Sequence, residues 1–214
     1  MLKTALRITA LLALATGTTA ATHAVSAAGA PAEALPAATT TPAITTTPAI
    51  TTTPAAATTA GIKGWARMYF PAPGNDVQVS VDAHGTYTSM SPVFPTRAWG
   101  TFRISHRIDQ PDGRPPLTYW ADFKVNCLTT GGPTATVTGT VVRASDNPRD
   151  PWQDMLKDHV RMGVSFYVAG KDGGPSRIGL SGEAGRTLSK CMAPAADAPV
   201  IKGGYRLKDK GPLH

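Results

Sequence analysis

The stretch CLTTGGPTATVTGTVVR, residues 127–143, decides the fold class of this chain. It begins with a cysteine, breaks at Gly131-Gly132-Pro133 and then alternates apolar or small residues with threonines. Alternation with a period of two is typical of a strand that buries one face, and a Gly-Gly-Pro break between two such runs indicates a turn. The stretch therefore predicts a β-hairpin. Its second strand faces inward with Ala135, Val137, Gly139 and Val141.

The same alternation recurs in both directions from this hairpin. The runs are VQVSVDAH (77–84), TFRISHRI (101–108), YWADFKVNC (119–127), VRMGVSFYV (160–168) and IKGGYRL (201–207). In the third run the pattern places Cys127 on the inward side. Further strand candidates are the shorter runs 65–70, 177–181 and TLSKC (187–191). Seven to nine short strands separated by turns predict an all-β fold, an antiparallel β-sandwich or small barrel.

One stretch, DPWQDMLKDH at 150–159, has a helical period instead. Asp150 and Pro151 are residue types favoured at the start of a helix. The apolar face follows the spacing i, i+3, i+4 and i+7: Trp152, Met155, Leu156 and His159. We predict a short helix near 150–159 that covers an open end of the β domain with Trp152 as a plug. A mobile flap over a ligand site is the alternative.

The N-terminal quarter of the chain has the composition of a targeting signal and a linker. Lys3 and Arg7 precede a short apolar run, which predicts a secretory signal peptide over residues 1–28. Residues 29–60 contain the repeat TTTPAI, whose Thr, Pro and Ala cannot form a packed core, so a disordered linker is expected. A single β domain then occupies 61–214. The prediction is a secreted protein, extracellular or loosely associated with the cell wall, with no transmembrane segment in its mature form.

Charge and cysteine content narrow the expectation further. The chain has 21 basic and 14 acidic residues; from residue 61 onward the counts are 19 and 13, a net charge of +6. Two cysteines in an exported chain predict one disulfide, between Cys127 and Cys191. The alternative, a pair of free thiols or metal ligands, lacks the neighbouring Cys or His residues that a metal site needs.

Several of these motifs together resemble a known group of proteins. The segments VDAHGTYT, GTFRISH, NCLTTGGPTATVTGTV, GVSFYV and CMAP are similar to those of small secreted actinobacterial proteins of unknown function often labelled repetin. The likeness covers roughly Asp76 to Leu207. It implies an exported all-β domain with two matching cysteines. It implies no reaction and no catalytic residues.

The sequence favours a non-enzymatic binding or structural module over an enzyme. It contains no nucleophile elbow, no zinc-protease motif and no phosphate-binding loop. A basic strand face is predicted at Arg103, Arg107, Trp120 and Lys124, extended by Lys202, Arg206 and Lys208. The expected ligand is an anionic cell-wall polymer or polysaccharide. Nucleic acid is not expected because no reading motif is present; no cofactor is expected, and the protein is expected to be a monomer.

The alternative is a secreted hydrolase or metal-dependent enzyme with a site near His84 and His106. Asp82 shares a strand face with His84, and two histidines with one carboxylate can hold a metal ion. Against this, the pattern places the two histidines on different faces, so no metal site is predicted. The acidic turns at 109–113 and 171–174 lack the spaced oxygen ligands of a calcium loop. A pocket with converging polar side chains would favour the enzyme, and a packed core with a basic face would favour the module.

Overall fold

A computed structural model of the protein describes residues 56–171, 173–181 and 188–211. The predicted signal peptide and nearly all of the predicted linker lie outside the described residues. The first strand begins at Ala57, so it includes residues 57–60, which the sequence pattern assigned to the linker.

Eight strands form one antiparallel sheet that closes into a barrel, in the order in which they occur in the chain. The all-β prediction is confirmed, and of its two alternatives the barrel is correct. The strands are β1 (Ala57–Met68), β2 (Asn75–Thr88), β3 (Arg97–Ile108), β4 (Leu117–Gly131), β5 (Thr134–Ala144), β6 (Arg161–Tyr167), β7 (Arg177–Leu180) and β8 (Ala198–Lys208). Both Gly-Gly-Pro turns join neighbouring strands, β4 to β5 and β6 to β7.

Closure depends on pairing between the first and last strands. Residues of β1 from Gly61 to Met68 pair with β8 from Lys208 back to Val200. The pairing of β7 with β8 is much shorter and consists of Arg177 with Pro199 and Ile178 with Ala198. Closing the sheet in this way removes the exposed edges that a flat sheet would have.

The inside of the barrel is packed with the apolar residues of the alternating rows. The rings of Phe102 and Phe123 stack at 4.5 Å, and Phe166 meets Tyr205 edge-on at 4.8 Å between ring centroids. The valine rows of β2 and β5 are buried as the period-two pattern predicted. Small and large residues together fill a narrow barrel of this size.

A short helix, α1 (Trp152–Lys157), covers one end of the barrel, as predicted. Its Trp152 is 2% exposed, and its ring meets Phe123 edge-on at 5.8 Å. The carboxylate of Asp150 accepts a hydrogen bond from the backbone N–H of Trp152 at 2.9 Å, which holds the start of the helix. We call this end of the barrel the α1 end, and the opposite end, where β1 begins and β8 finishes, the terminal end. Neither α1 nor the single 3-10 turn at Pro111–Gly113, the helical elements of the described residues, is long and apolar enough to cross a membrane.

A β-bulge in β4 overturns the predicted orientation of Cys127. The register with β5 shifts between Val125 and Cys127, so Val125 pairs with Gly139 and Cys127 with Thr138. Directly paired residues share a face, and Thr138 lies on the outer side of β5. Cys127 is therefore on the outside of the barrel, while Leu128 takes the inward position. The extra residue of a bulge reverses the alternation, and a strict period of two cannot anticipate it.

Cys127 is nevertheless buried, because residues 188–197 cross over the outer face of β5, β6 and β7. We call them the crossing segment. Its Cys191 forms the predicted disulfide with Cys127, with a Cα–Cα distance of 5.3 Å, and its backbone N–H donates to Thr138 Oγ1 at 3.2 Å. Among the described residues of TLSKC, 188–191, none is in a strand, so that strand prediction is wrong. The segment packs against a completed sheet instead of joining it.

Candidate anion-binding face

The outward side of β8, β1, β2, β3 and β4 carries most of the strand charge, and we call it the basic face. These five strands contain three aspartates, Asp76, Asp82 and Asp122. They contain nine basic residues: Lys63, Arg67, Arg97, Arg103, Arg107, Lys124, Lys202, Arg206 and Lys208. Their net charge is therefore +6.

The remainder of the sequence from residue 61 is balanced. It contains ten basic and ten acidic residues, so the whole net charge of the domain corresponds to the strands of the basic face. A surface that concentrates one sign of charge attracts ligands of the opposite sign and raises their association rate. The distribution of charge over the surface therefore says more about ligand binding than the net charge of the domain does.

Arg103 and Trp120, two of the predicted face residues, are already engaged with neighbours. Arg103 donates two hydrogen bonds to Asp122, at 2.6 Å from Nε and 2.8 Å from Nη2. This contact raises the pKa of Arg103 further above its ordinary value. The same guanidinium lies 4.3 Å from the centroid of the Trp120 ring, and that of Arg143 lies 5.5 Å away. These three side chains therefore form a structural cluster on the outer surface.

Of the other two predicted residues, one is paired and one is available. Arg107 Nη2 lies 2.8 Å from Asp109 Oδ1. Lys124 makes no ion pair within the described residues, and the same is true of the β8 cations Lys202, Arg206 and Lys208. Four cations without an ion pair are therefore at the two sides of the basic face, on β4 and β8. Arg97 of β3 also makes no ion pair within the described residues, and its guanidinium lies 5.3 Å from the centroid of the Trp99 ring.

Between these cations lies a hydrogen-bonded group centred on Asp82. Lys63 Nζ donates to its Oδ2 at 2.7 Å, and His84 Nε2 lies 2.9 Å from its Oδ1. The hydrogen bond from Lys63 is the main reason that the pKa of Asp82 is lowered; burial acts against it and His84 adds to it. His84 also stacks on Trp99 at 5.4 Å between centroids. Asp82 thus stays ionised at neutral pH, and it offsets only part of the surrounding positive charge.

A shallow groove runs across the strands of the basic face. Three adjoining depressions of about 380, 290 and 250 Å³ form it, and we call it the transverse groove. The first and second share His84, and the second and third share Asp82 and Thr101. Its lining includes Arg206 and Lys208 at one side. At the other side Lys124 pairs in register with Thr101. Four strand spacings separate β8 from β4, about 19 Å along the sheet.

The structure does not bring His84 and His106 together. His84 pairs with Trp99 on β3, and Trp99 is seven residues from His106 along the same strand. At about 3.3 Å per residue the two histidines are roughly 23 Å apart. His84 lies on the outer surface, whereas His106 lines a cavity at the α1 end, with Nε2 2.6 Å from Asn75 Oδ1. No group of three or more His, Cys, Asp or Glu residues suited to a metal ion occurs among the described residues.

Two outward tryptophans of the basic face were missed by the sequence reasoning. Trp65 on β1 and Trp99 on β3 are 38% and 37% exposed, which is unusual for so large an apolar side chain. Trp65 Nε1 donates to Gln78 at 3.1 Å. The sequence feature that could have placed both tryptophans on the outer surface is their alternation with the buried rows of β1 and β3. That they share one face with β8 depends on barrel closure, which no local pattern reveals.

Comparison with known proteins finds no matching protein-family model, no matching curated protein and no matching solved structure. The resemblance to repetin-labelled proteins therefore stays a prediction from the sequence motifs.

Proposed function

We propose that the protein is a secreted, monomeric, non-enzymatic module that binds an anionic cell-envelope polymer along the transverse groove. The observation that carries this proposal is the concentration of a net charge of +6 on the five strands of the basic face. The cations Lys124, Arg206 and Lys208 border the groove and make no ion pair within the described residues. A polymer that runs across the strands would meet all three.

The shape and chemistry of the groove support binding rather than catalysis. It is shallow and open along its length, which suits a chain that extends beyond the protein. The histidine and the carboxylate in the groove, His84 and Asp82, are hydrogen-bonded to each other. The interior beneath it is packed, so the groove is a surface feature and not the entrance to a reaction chamber.

Salt dependence and charge neutralisation test the proposal directly. The full chain would be titrated with a phosphodiester polymer, with a uronic-acid polysaccharide and with neutral dextran, at low and at high salt. Because cations on the protein displace counterions from a charged polymer, affinity for the two anionic polymers should fall as salt rises. The triple variant K124Q/R206Q/K208Q should weaken binding and reduce the slope of log affinity against log salt by about one per cation removed.

A matched control removes the same charge elsewhere. The variant K171Q/R177Q/K190Q also loses two lysines and one arginine, all exposed and outside the basic face. It should bind as the unmodified chain does. If both triple variants lost affinity equally, net charge alone would drive binding, and the assignment of the binding site to the groove would be wrong. If dextran bound as tightly as the two anionic polymers, the ligand would not need to be anionic, which would contradict the proposal.

The aromatic residue of the groove gives a second test. Trp99 lines the groove and Trp65 does not, although the two are almost equally exposed. An aromatic ring presents an apolar face on which a sugar ring can pack. W99A should therefore weaken binding of the uronic-acid polysaccharide more than binding of polyphosphate, while W65A changes neither. The reverse result would show that the polymer follows another path.

A further inference from the structure

The connection between β2 and β3, residues 89–96, exposes three large apolar side chains at the terminal end of the barrel. Met90 is 88% exposed, Val93 60% and Phe94 56%. The sequence of this connection, SMSPVFPT, contains no charged residue, and we call it the β2–β3 loop. Soluble proteins seldom group large apolar side chains on their surface without a binding role. The group therefore indicates contact with another apolar phase or surface.

The β2–β3 loop is attached to the barrel at two points. The backbone N–H of Thr96 donates to the carbonyl of Thr86 at 2.8 Å, which fixes the loop where β3 begins. On the other side, Lys210, which follows β8, donates from Nζ to the carbonyl of Pro92. The loop thus has a defined conformation that keeps its apolar side chains outside the core.

Hydrogen bonds within the loop satisfy several of its backbone groups. The backbone N–H of Ser91 donates to the carbonyl of Thr88 at 2.9 Å, and Ser91 Oγ donates to that of Phe94 at 2.7 Å. Pro92 and Pro95 have no N–H that would need an acceptor. A protein partner could supply hydrogen bonds to a loop, whereas hydrocarbon cannot, so a segment that enters lipid must satisfy its backbone internally. This loop meets much of that requirement.

The apolar side chains have a positive border. Arg97 directly follows the loop and is exposed, and Lys210 contacts it. The sequence between Asp82 and Asp109 contains no acidic residue. The nearby carboxylate of Asp209 is held by the β4–β5 turn instead. Apolar side chains bordered by cations are typical of segments that bind anionic lipid surfaces.

We propose that the β2–β3 loop docks the protein on an anionic lipid surface. Met90, Val93 and Phe94 enter the boundary between headgroups and acyl chains, and Arg97 and Lys210 face the headgroups. A second copy of the chain fits less well, because it would bring the same two cations of each copy together. The inference does not rest on the transverse groove, whose lining contains none of these five residues.

A triple variant removes the apolar side chains without changing the charge. M90S/V93S/F94S and the unmodified full chain would be sedimented with vesicles of phosphatidylcholine and phosphatidylglycerol in equal parts. The variant should bind these vesicles about tenfold or more weakly, because three apolar side chains no longer leave water. Its affinity for polyphosphate should stay unchanged, since the basic face is intact. Every variant keeps the N-terminal residues, so their contribution to vesicle binding cancels in the comparison.

A matched control removes exposed apolar side chains elsewhere. V142S/M192S/I201S changes three exposed positions on β5, the crossing segment and β8, and it should bind the vesicles as the unmodified chain does. Equal losses in the two triple variants would show that the loop is not the docking site. If M90S/V93S/F94S instead converted a dimer into a monomer in size-exclusion chromatography, the loop would bind a second copy and the lipid assignment would be wrong.

The lipid composition tests the role of charge. Loop-dependent binding, the difference between the unmodified chain and M90S/V93S/F94S, should be much weaker on vesicles of phosphatidylcholine alone. R97Q/K210Q should weaken binding to the mixed vesicles by about fivefold for each cation. R149Q/K190Q also removes one arginine and one lysine, both exposed and outside the loop, and should have little effect. Loop-dependent binding that is equal on both kinds of vesicle would contradict an anionic surface.

Insertion itself can be measured as a gain of signal. F94W keeps an apolar side chain in the loop and adds a tryptophan, whose fluorescence brominated lipids quench on contact with the acyl chains. Brominated phosphatidylcholine in the mixed vesicles should quench F94W more than the unmodified chain, while V142W, with its added tryptophan on β5, gains no quenching. This measurement does not require the triple variant to fold. Equal quenching of F94W and V142W would exclude insertion of the loop.

Discussion

At the scale of single residues, the side chain of Asp209 links the end of β8 to the turn between β4 and β5. It follows β8 and reaches the β4–β5 turn, where Oδ1 accepts from Thr130 Oγ1 at 2.5 Å and Oδ2 from the backbone N–H of Gly132 at 3.1 Å. Burial alone would raise the pKa of Asp209. The hydrogen bonds from Thr130, Gly132 and Lys210 outweigh it, so the pKa is lowered.

This lowered pKa predicts a pH-dependent contribution to stability. It is fully present above the unfolded value of about 3.9 and is lost as the pH falls through the folded-state pKa. D209N should reduce the free energy of unfolding by about 1–2 kcal/mol at pH 7, and the difference should shrink towards pH 2. Urea denaturation across this pH range measures it. D146N, an exposed change that removes no ion pair of the described residues, serves as the control. If the difference in free energy of unfolding between D209N and the unmodified chain did not depend on pH, the stabilising role of the ionised carboxylate would be wrong.

Two glycines of the outer surface fit the crossing segment against the barrel. A Cβ atom on Gly163 would lie 2.2 Å from the carbonyl oxygen of Met192, and one on Gly179 would lie 2.0 Å from that of Ala195. Backbone atoms cannot move aside as a flexible side chain can. These positions therefore accept no side chain while the segment stays in place.

G179A should accordingly destabilise the protein by about 1–3 kcal/mol, the usual range for overpacking. G204A is the matched control, because a Cβ atom there would have no neighbour within 4 Å. Losing glycine at an unstrained site tends to stabilise a protein slightly. Thermal melts of both variants measure the effect, and equal melting temperatures would show that the crossing segment is not held against β7.

At the scale of elements, the strands were predictable and the connections were not. The predicted rows of β2, β3 and β5 follow the period-two pattern because these stretches are regular and have one buried face; in β5 the register with β4 shifts only after Val141. Cys127 was placed on the wrong face because a bulge is set by pairing with β5, a distant partner. TLSKC looked like a strand because its composition suits one, but β6 already pairs with β7. In the site, the cations of β4 and β8 were predicted, as were Arg103 and Arg107 of β3, but Arg97 of β3 was not. The ion pairs that occupy Arg103 and Arg107 depend on tertiary neighbours.

The disulfide is the strongest link between the crossing segment and the barrel. Cys127 and Cys191 are 64 residues apart in sequence, and closing a loop of that length contributes about 4 kcal/mol in the chain-entropy model. C127S/C191S should lower the free energy of unfolding by about that amount. Guanidinium denaturation of the variant and of the reduced unmodified chain would measure it, and the two should agree. No change on reduction would mean that the segment holds without its covalent bond.

At the scale of the whole molecule, closure is uneven around the barrel. β1 and β2 pair along twelve residues, whereas β7 joins β6 through four pairs and β8 through two. Sandwich and barrel could not be distinguished from sequence because the β1–β8 contact joins the two ends of the domain. The same long-range pairing of β1 with β8 assembles the basic face. The extent of that face therefore could not be predicted from the sequence either.

The uneven pairing predicts uneven local stability. Regions with few backbone hydrogen bonds open first, so amide hydrogens of β7 should exchange with solvent fastest among the strands and those of β2 slowest. Hydrogen–deuterium exchange followed by mass spectrometry checks this at neutral pH. Uniform protection across all eight strands would show that the crossing segment compensates fully for the short pairing.

The antiparallel pairing of Gly61 with Lys208 has a practical consequence for handling the protein. Strand β1 therefore begins and β8 finishes side by side, at the terminal end, while the cavity lined by His106 and Trp152 lies at the other. In a variant that begins at Ala57 and ends at Gly211, a fusion partner or immobilisation tag joined at either end would leave that cavity facing away from the point of attachment. The groove, whose β8 side reaches Lys208, would lie next to that attachment. An orientation chosen for a biosensor surface would thus present the cavity freely and crowd the groove.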